Sequence, residues 1–104
     1  MKGNGDFSIG SKVWSGTSKV LEEMGELQQV MGKLIATAGE EKHWDGSNLK
    51  ERLKEEMADV QAAILFFQIQ NFSEEDIREV VDRRMKKLDV FLGWHTAREL
   101  SGGG

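Results

Sequence analysis

Apolar positions along this chain repeat at helical spacing in three stretches. The first carries Val20, Met24, Leu27, Met31 and Leu34, separated by four, three, four and three residues. That is one face of an amphipathic helix. Ser15 or Thr17 stands where a cap belongs, and Gly39 stands where the helix should stop, after about Ala38. A second stripe, Leu49, Leu53, Met57, Val60, Ile64 and Phe67, follows Ser47 as cap and runs to about Gln70. From Ala62 to Ile69 this segment is apolar almost all round, which predicts enclosure by neighbours. The third stretch opens on Ser73-Glu74-Glu75-Asp76, laid out like a capping box. It continues on Ile77, Val81, Leu88 and Phe91 to about Leu92, with Gly93 as its end.

The pattern predicts an all-α fold, a helical bundle of three main helices. A chain of 104 residues buries limited surface, so oligomerisation should complete a four-helix-bundle-like core. Residues 1–10 are Gly-rich and polar and read as a flexible start. Residues 11–95 form the domain and 96–104 a tail, disordered at its Gly-rich end. Gly25, Gly32 and Ala36 form a strip of small residues behind the first stripe, where another helix can approach closely.

Charge narrows the functional classes. The net charge of −4 argues against a nucleic-acid polymer as partner, because phosphate backbones require a positive footprint. It leaves room for small phosphate ligands held through a metal. The absence of cysteine removes disulfide, zinc-thiolate and thiol chemistry, and suits a cytoplasmic protein. No apolar run reaches the roughly 18 residues of a membrane span, and the polar start does not read as a signal peptide.

The chemistry lies in two acidic motifs. Leu21-Glu22-Glu23-Met24-Gly25-Glu26-Leu27 is echoed by Glu55-Glu56-Met57-Ala58-Asp59-Val60. At about 100° per residue from Val20, Glu23 falls at about −60° and Glu26 at about −120°. From Leu53, Glu56 and Asp59 fall at the same two angles, about −60° and −120°. Each helix therefore offers one acid at the edge of its stripe and one further out. If the helices pack antiparallel, four carboxylates line one cleft. Isolated acid pairs at this spacing are usually solvated. Lys19 can pair with Glu22 or Glu23 and Arg52 with Glu56, but Glu26 and Asp59 have no basic residue three or four positions away, and four acids converging in one cleft call for a hard divalent cation. Glu22 falls at about 200°, on the far side, where Lys19 can pair with it.

Other candidates are less sharp. Arg84 lies inside the third stripe at about −20° from Ile77, flanked by Lys87 at about −80°. A cation there needs a partner, either substrate phosphate or an interhelical acid. Trp14, His43 and Trp44 flank the acidic helices. The tryptophans fit a stacking role or a place in the core, and His43 fits a hydrogen bond in a loop better than a metal, since His43 and His95 have no zinc-site spacing.

Glu22-Glu23-x-x-Glu26 followed by Glu56-x-x-Asp59 resembles the signature of the MazG-like nucleotide pyrophosphohydrolases. These belong to the all-α nucleoside triphosphate pyrophosphatases, with dimeric dUTPases, dCTP pyrophosphatases and phosphoribosyl-ATP pyrophosphohydrolases. Val13-Trp14, Ser18-Lys19, Gly25-Glu26-Leu27, His43-Trp44-Asp45-Gly46 and Asp59-Val60 extend the likeness over residues 13–94. The segment between Glu26 and Glu56 is long for this signature. The resemblance implies cleavage between the α- and β-phosphates of a nucleoside triphosphate, with Mg²⁺ as cofactor and Mn²⁺ as a substitute. It implies Glu23, Glu26, Glu56 and Asp59 as metal ligands, Glu22 as a further catalytic acid, and Arg83, Arg84, Lys87, Trp14, His43 and Trp44 as substrate contacts. It also implies a homodimer or a dimer of dimers. Two alternatives stand beside it: a non-catalytic helical oligomer or partner-binding module on the same scaffold, and a phosphohydrolase of another diphosphate compound.

Overall fold

The computed structural model describes residues 5–41 and 48–102, and these are all-α. Three helices follow in order, α1 (Thr17–Ala36), α2 (Leu49–Asn71) and α3 (Glu74–Leu100). No described helix is long and apolar enough to cross a membrane. The expected cap Ser47, the candidates His43 and Trp44, the first four residues and the last two glycines lie outside the described residues.

The chain divides into two compact units, one running up to Asn71 and one from Phe72 onward. In the first, α1 packs on α2. The pair is antiparallel, because the start of α1 meets the end of α2. Asn71 Nδ2 donates to the Ser15 carbonyl at 2.9 Å, and the Trp14 ring stacks on Phe67 with centroids 5.8 Å apart. Val30 and Leu49 are fully buried and Ala63 nearly so.

The start of α1 differs from the expectation of a Ser15 or Thr17 cap. Its N-cap is Gly16, left-handed at φ 92°, with no side-chain cap bond. Backbone carbonyls substitute. The amides of Gly16 and Ser18 donate to Ser8 and Phe7 at 3.1 and 2.9 Å, and Gly10 N donates to Ser15 Oγ at 3.0 Å. An uncapped helix start leaves donors without partners, and the segment from Phe7 to Gly10 lies across that end and supplies acceptors. Composition alone gives these residues no partner.

α2 takes Asn48 as its cap, whose Oδ1 accepts from Glu51 N at 3.0 Å. α3 begins on the expected capping box: Ser73 Oγ accepts from Asp76 N and Asp76 accepts from Ser73 N. It passes through Gly93 and ends at Leu100. One helical glycine costs only about 1 kcal/mol. The residues that follow include good helix formers, and His95 reaches Glu99 at 2.7 Å one turn on. The apolar residues of α3 beyond Val80, including Met85, Phe91 and Trp94, are exposed.

Candidate metal centre

The helix faces that meet in the first unit are not centred on the apolar stripes. On α1, buried Val30 and half-buried Leu27, Leu34 and Glu23 lie between about −20° and −80° on the angular scale that sets Val20 to zero. Met24 and Met31, at positive angles of about 40° and 20°, are exposed. α2 shows the same turn. Leu49, Ala63, Glu56 and Val60 are covered, and Met57 and Ile64 are left out. Both helices are rotated about 50° from their hydrophobic midline toward their acids. The rotation sets Glu23 and Glu56 half-buried in the seam instead of on its rim.

The antiparallel register then brings Glu23 to Asp59 and Glu26 to Glu56. One oxygen each from Glu23, Glu56 and Asp59 lies within 4.8 Å of the others, and Glu22, Glu23 and Glu26 meet the same limit. Glu23 is common to both groups. Desolvation raises the Glu56 carboxyl above its usual range. The charge of Glu26, a hydrogen bond shared with it, and the charges of Asp59 and Glu23 raise it further. A hydrogen bond between two carboxyls needs a proton held between them. Desolvation also raises Glu23, helped by Glu26 and Asp59 and only partly opposed by Lys19.

Two observations bear on whether a cation fits here. Glu56 Oε2 is a buried oxygen with no hydrogen-bond partner. Lys19, whose charge partly offsets the acids at Glu23, is bound to Glu22, its Nζ 2.6 Å from Glu22 Oε1. Opposed ligand oxygens around a hard divalent cation are about 4–5 Å apart, so the carboxylate spread suits one. An acceptor-only donor set of this kind favours magnesium, calcium or manganese over softer metals.

A hollow of about 340 Å³ opens at the acids, lined by Glu23 and Asp59 together with Ile9, Lys19, Ala62, Ala63 and Phe66. Sequence reasoning meets Lys19 only as a partner for an acid and Ala62, Ala63 and Phe66 only as part of an apolar run, and it passes over Ile9. Ala62 and Ala63 are the small residues one turn beyond Asp59, a signal that could have been used. Ile9 sits in irregular backbone and left none.

The remaining candidates fall as follows. Trp14 has one face on Phe67, with planes 7° apart, and is 52% exposed. Arg83, Arg84 and Lys87 lie on α3 in the second unit and are exposed. Arg83 and Lys87 border a groove with Glu79, Asp82, Lys86 and Val90. The partner expected for Arg84 follows from a stripe that is buried. The apolar positions around it on α3 are themselves exposed, so that requirement lapses.

No family model, curated protein or solved structure matches this chain. The likeness to MazG-like enzymes therefore rests on the motif residues themselves.

Proposed function

We propose that the chain is a Mg²⁺-dependent nucleoside triphosphate pyrophosphohydrolase of the MazG-like kind, releasing a nucleoside monophosphate and pyrophosphate. The observation that carries this reading is the convergence of Glu23, Glu26, Glu56 and Asp59 from two helices, with an orphaned oxygen on Glu56. A divalent cation among the four would offset their mutual repulsion and give the buried Glu56 oxygen a partner.

Those four side chains would hold the metal, which when bound supplies charge neutralisation of the phosphates and polarisation of water. The chain's own part is positional. α1 and α2 each fix two carboxylates, and the rotation of both helices excludes water from Glu56 Oε2. Lys19 and Glu22 hold one another at the edge of the cluster, so Glu22 acts by orienting Lys19 or water. In hydrolysis, water oxygen bonds to the α-phosphorus, the bond from that phosphorus to the bridging oxygen breaks, and pyrophosphate leaves. The resemblance alone proposes Arg83, Arg84 and Lys87 as phosphate contacts.

The rotation that exposes Met24, Met31, Met57 and Ile64 also supports self-association. These side chains form the outward half of the two stripes, and α3 carries further uncovered apolar residues. A homodimer or dimer of dimers would cover them.

The test is pyrophosphate release from canonical, deoxy- and modified nucleoside triphosphates with Mg²⁺ or Mn²⁺. Glu56→Gln and Asp59→Asn should each lower turnover by at least about 100-fold, as expected for losing a group that stabilises charge in the transition state. Substantial activity in both variants sinks the assignment.

A further inference from the structure

The hollow beside the acids differs from the acids in chemistry. Ile9, Ala62, Ala63 and Phe66 give it an apolar lining, and Lys19, Glu23 and Asp59 line it with charge. Its volume of about 340 Å³ falls at the small end of ligand sites. Lys19, the cation lining it among the described residues, is held by Glu22. Two independent elements shape the space. The alanines of α2 leave room where larger side chains would fill it. The segment before α1, tied through Phe7 and Ser8 to the helix start, brings Ile9 over the opposite side. Phe66 is set by close approach of Gly16, whose backbone leaves no space for a Cβ: one built there would lie 2.8 Å from Phe66 Cδ1.

We propose that this hollow receives the nucleobase of the substrate, and that its apolar lining selects on the bulk of the ring and not on the pattern of donors and acceptors at the base edge. The inference rests on the nucleotide reading given above. A site built to hydrogen-bond a base edge rejects the wrong edge by a factor of about 10⁴ or more, because its own polar groups are left unpaired. An apolar wall has no such groups to strand. It discriminates by one ring substituent or one unit of bulk, about 10- to 200-fold. The enzyme should therefore accept bases of equal size with similar affinity, as suits removal of assorted nucleotides more than one chosen nucleotide.

Calorimetric titration with Ca²⁺ in place of Mg²⁺ reads binding without requiring turnover. The ligands are dUTP, dCTP, dATP, dGTP and inorganic tripolyphosphate. The proteins are the wild type, Ala62→Leu at the exposed rim, and Ile9→Ala in the segment before α1. In the wild type, dUTP and dCTP should bind within about 100-fold of each other. Ala62→Leu should weaken the purine nucleotides by about 10-fold or more and leave tripolyphosphate unchanged. Ile9→Ala should weaken all four nucleotides and again spare tripolyphosphate.

Three results overturn the proposal. One is equal affinities across wild type and both variants. Another is equal weakening of tripolyphosphate. The third is a preference between dUTP and dCTP of about 10⁴ or more. If tripolyphosphate binds and the base adds nothing, the hollow is not a base site although a polyphosphate site stands. If neither tripolyphosphate nor any nucleotide binds, the nucleotide reading falls as well.

Discussion

Gly16 joins the helix pair to the hollow, and replacing it with alanine tests both. Its backbone is left-handed at φ 92°, and an added Cβ would lie 2.8 and 3.0 Å from Phe66 Cδ1 and Cε1. The first effect is conformational. An alanine held in the left-handed region costs about 1–2 kcal/mol. The second is steric. Phe66 must leave its rotamer or the helices must part, and a side chain about 30° off its well costs about 0.5–1.5 kcal/mol. Together these give about 2–3 kcal/mol. In a unit of this size 1 kcal/mol moves the midpoint by roughly 4–8 °C, so Gly16→Ala should melt about 10–20 °C below wild type. Gly10 provides the control, at φ 91° with nothing within 4 Å of its built Cβ. Gly10→Ala isolates the backbone effect and should lose about 4–16 °C, less than Gly16→Ala by the steric share. Melts followed by circular dichroism measure both, and Gly16→Ala should cost less in a Phe66→Ala background than in wild type. Equal midpoints for Gly16→Ala and Gly10→Ala refute the Phe66 contact. Wild-type midpoints in both refute the left-handed assignments.

Three further outcomes follow from the same geometry. Glu56 has its carboxyl raised in the folded state, so the metal-free fold binds more protons than the unfolded chain between the usual carboxylate range and that raised value. Its contribution to stability therefore improves as pH falls through that window and is lost as pH rises. Glu56→Gln should melt higher than wild type near pH 7 in chelator, with the gap closing toward pH 4. Mg²⁺ at a hundredfold excess over its Kd should stabilise the wild type by about 2.7 kcal/mol and leave Glu56→Gln unmoved, as thermal shift will read. Leu49→Ala removes a fully buried side chain from a small core and should cost about 2–5 kcal/mol by chemical denaturation, whereas Ser73→Ala, which deletes the α3 cap, should cost about 1 kcal/mol.

The three helices were legible because each carries a stripe long enough to show its period. The capping box at Ser73 was legible because its parts are local. What the stripes could not show is which part of them is covered. Met24, Met31, Met57 and Ile64 fit the period as well as Leu27 or Val60, yet they are exposed. Period fixes a face to within tens of degrees, and the partner helix chooses within that range. Val30 was outside the stripe and is fully buried. The four acids could be named from sequence because they repeat at one spacing on two helices. The hollow could not, because Ile9 reaches it through backbone bonds from Phe7 and Ser8, and irregular backbone has no period to read.

The placement of the acids explains why the helix pair needs such unlike ends. Four carboxylates in mid-seam repel, and the carboxyls of Glu23 and Glu56 are raised first by desolvation and then by the neighbouring acids. The force acts to part α1 from α2 where an ordinary pair would place leucines. Restraint therefore has to come from either side. Toward the start of α1, Asn71 bonds to Ser15, Trp14 stacks on Phe67 and Gly16 closes on Phe66. Toward its other end stand Val30 and Leu49, the two fully buried side chains. Neither end relieves the repulsion between them. A cation among the carboxylates would do so directly, so binding and helix pairing are coupled: whatever neutralises the seam also tightens it. The same coupling predicts that losses at the ends, as in Leu49→Ala or Gly16→Ala, weaken metal affinity without touching a ligand.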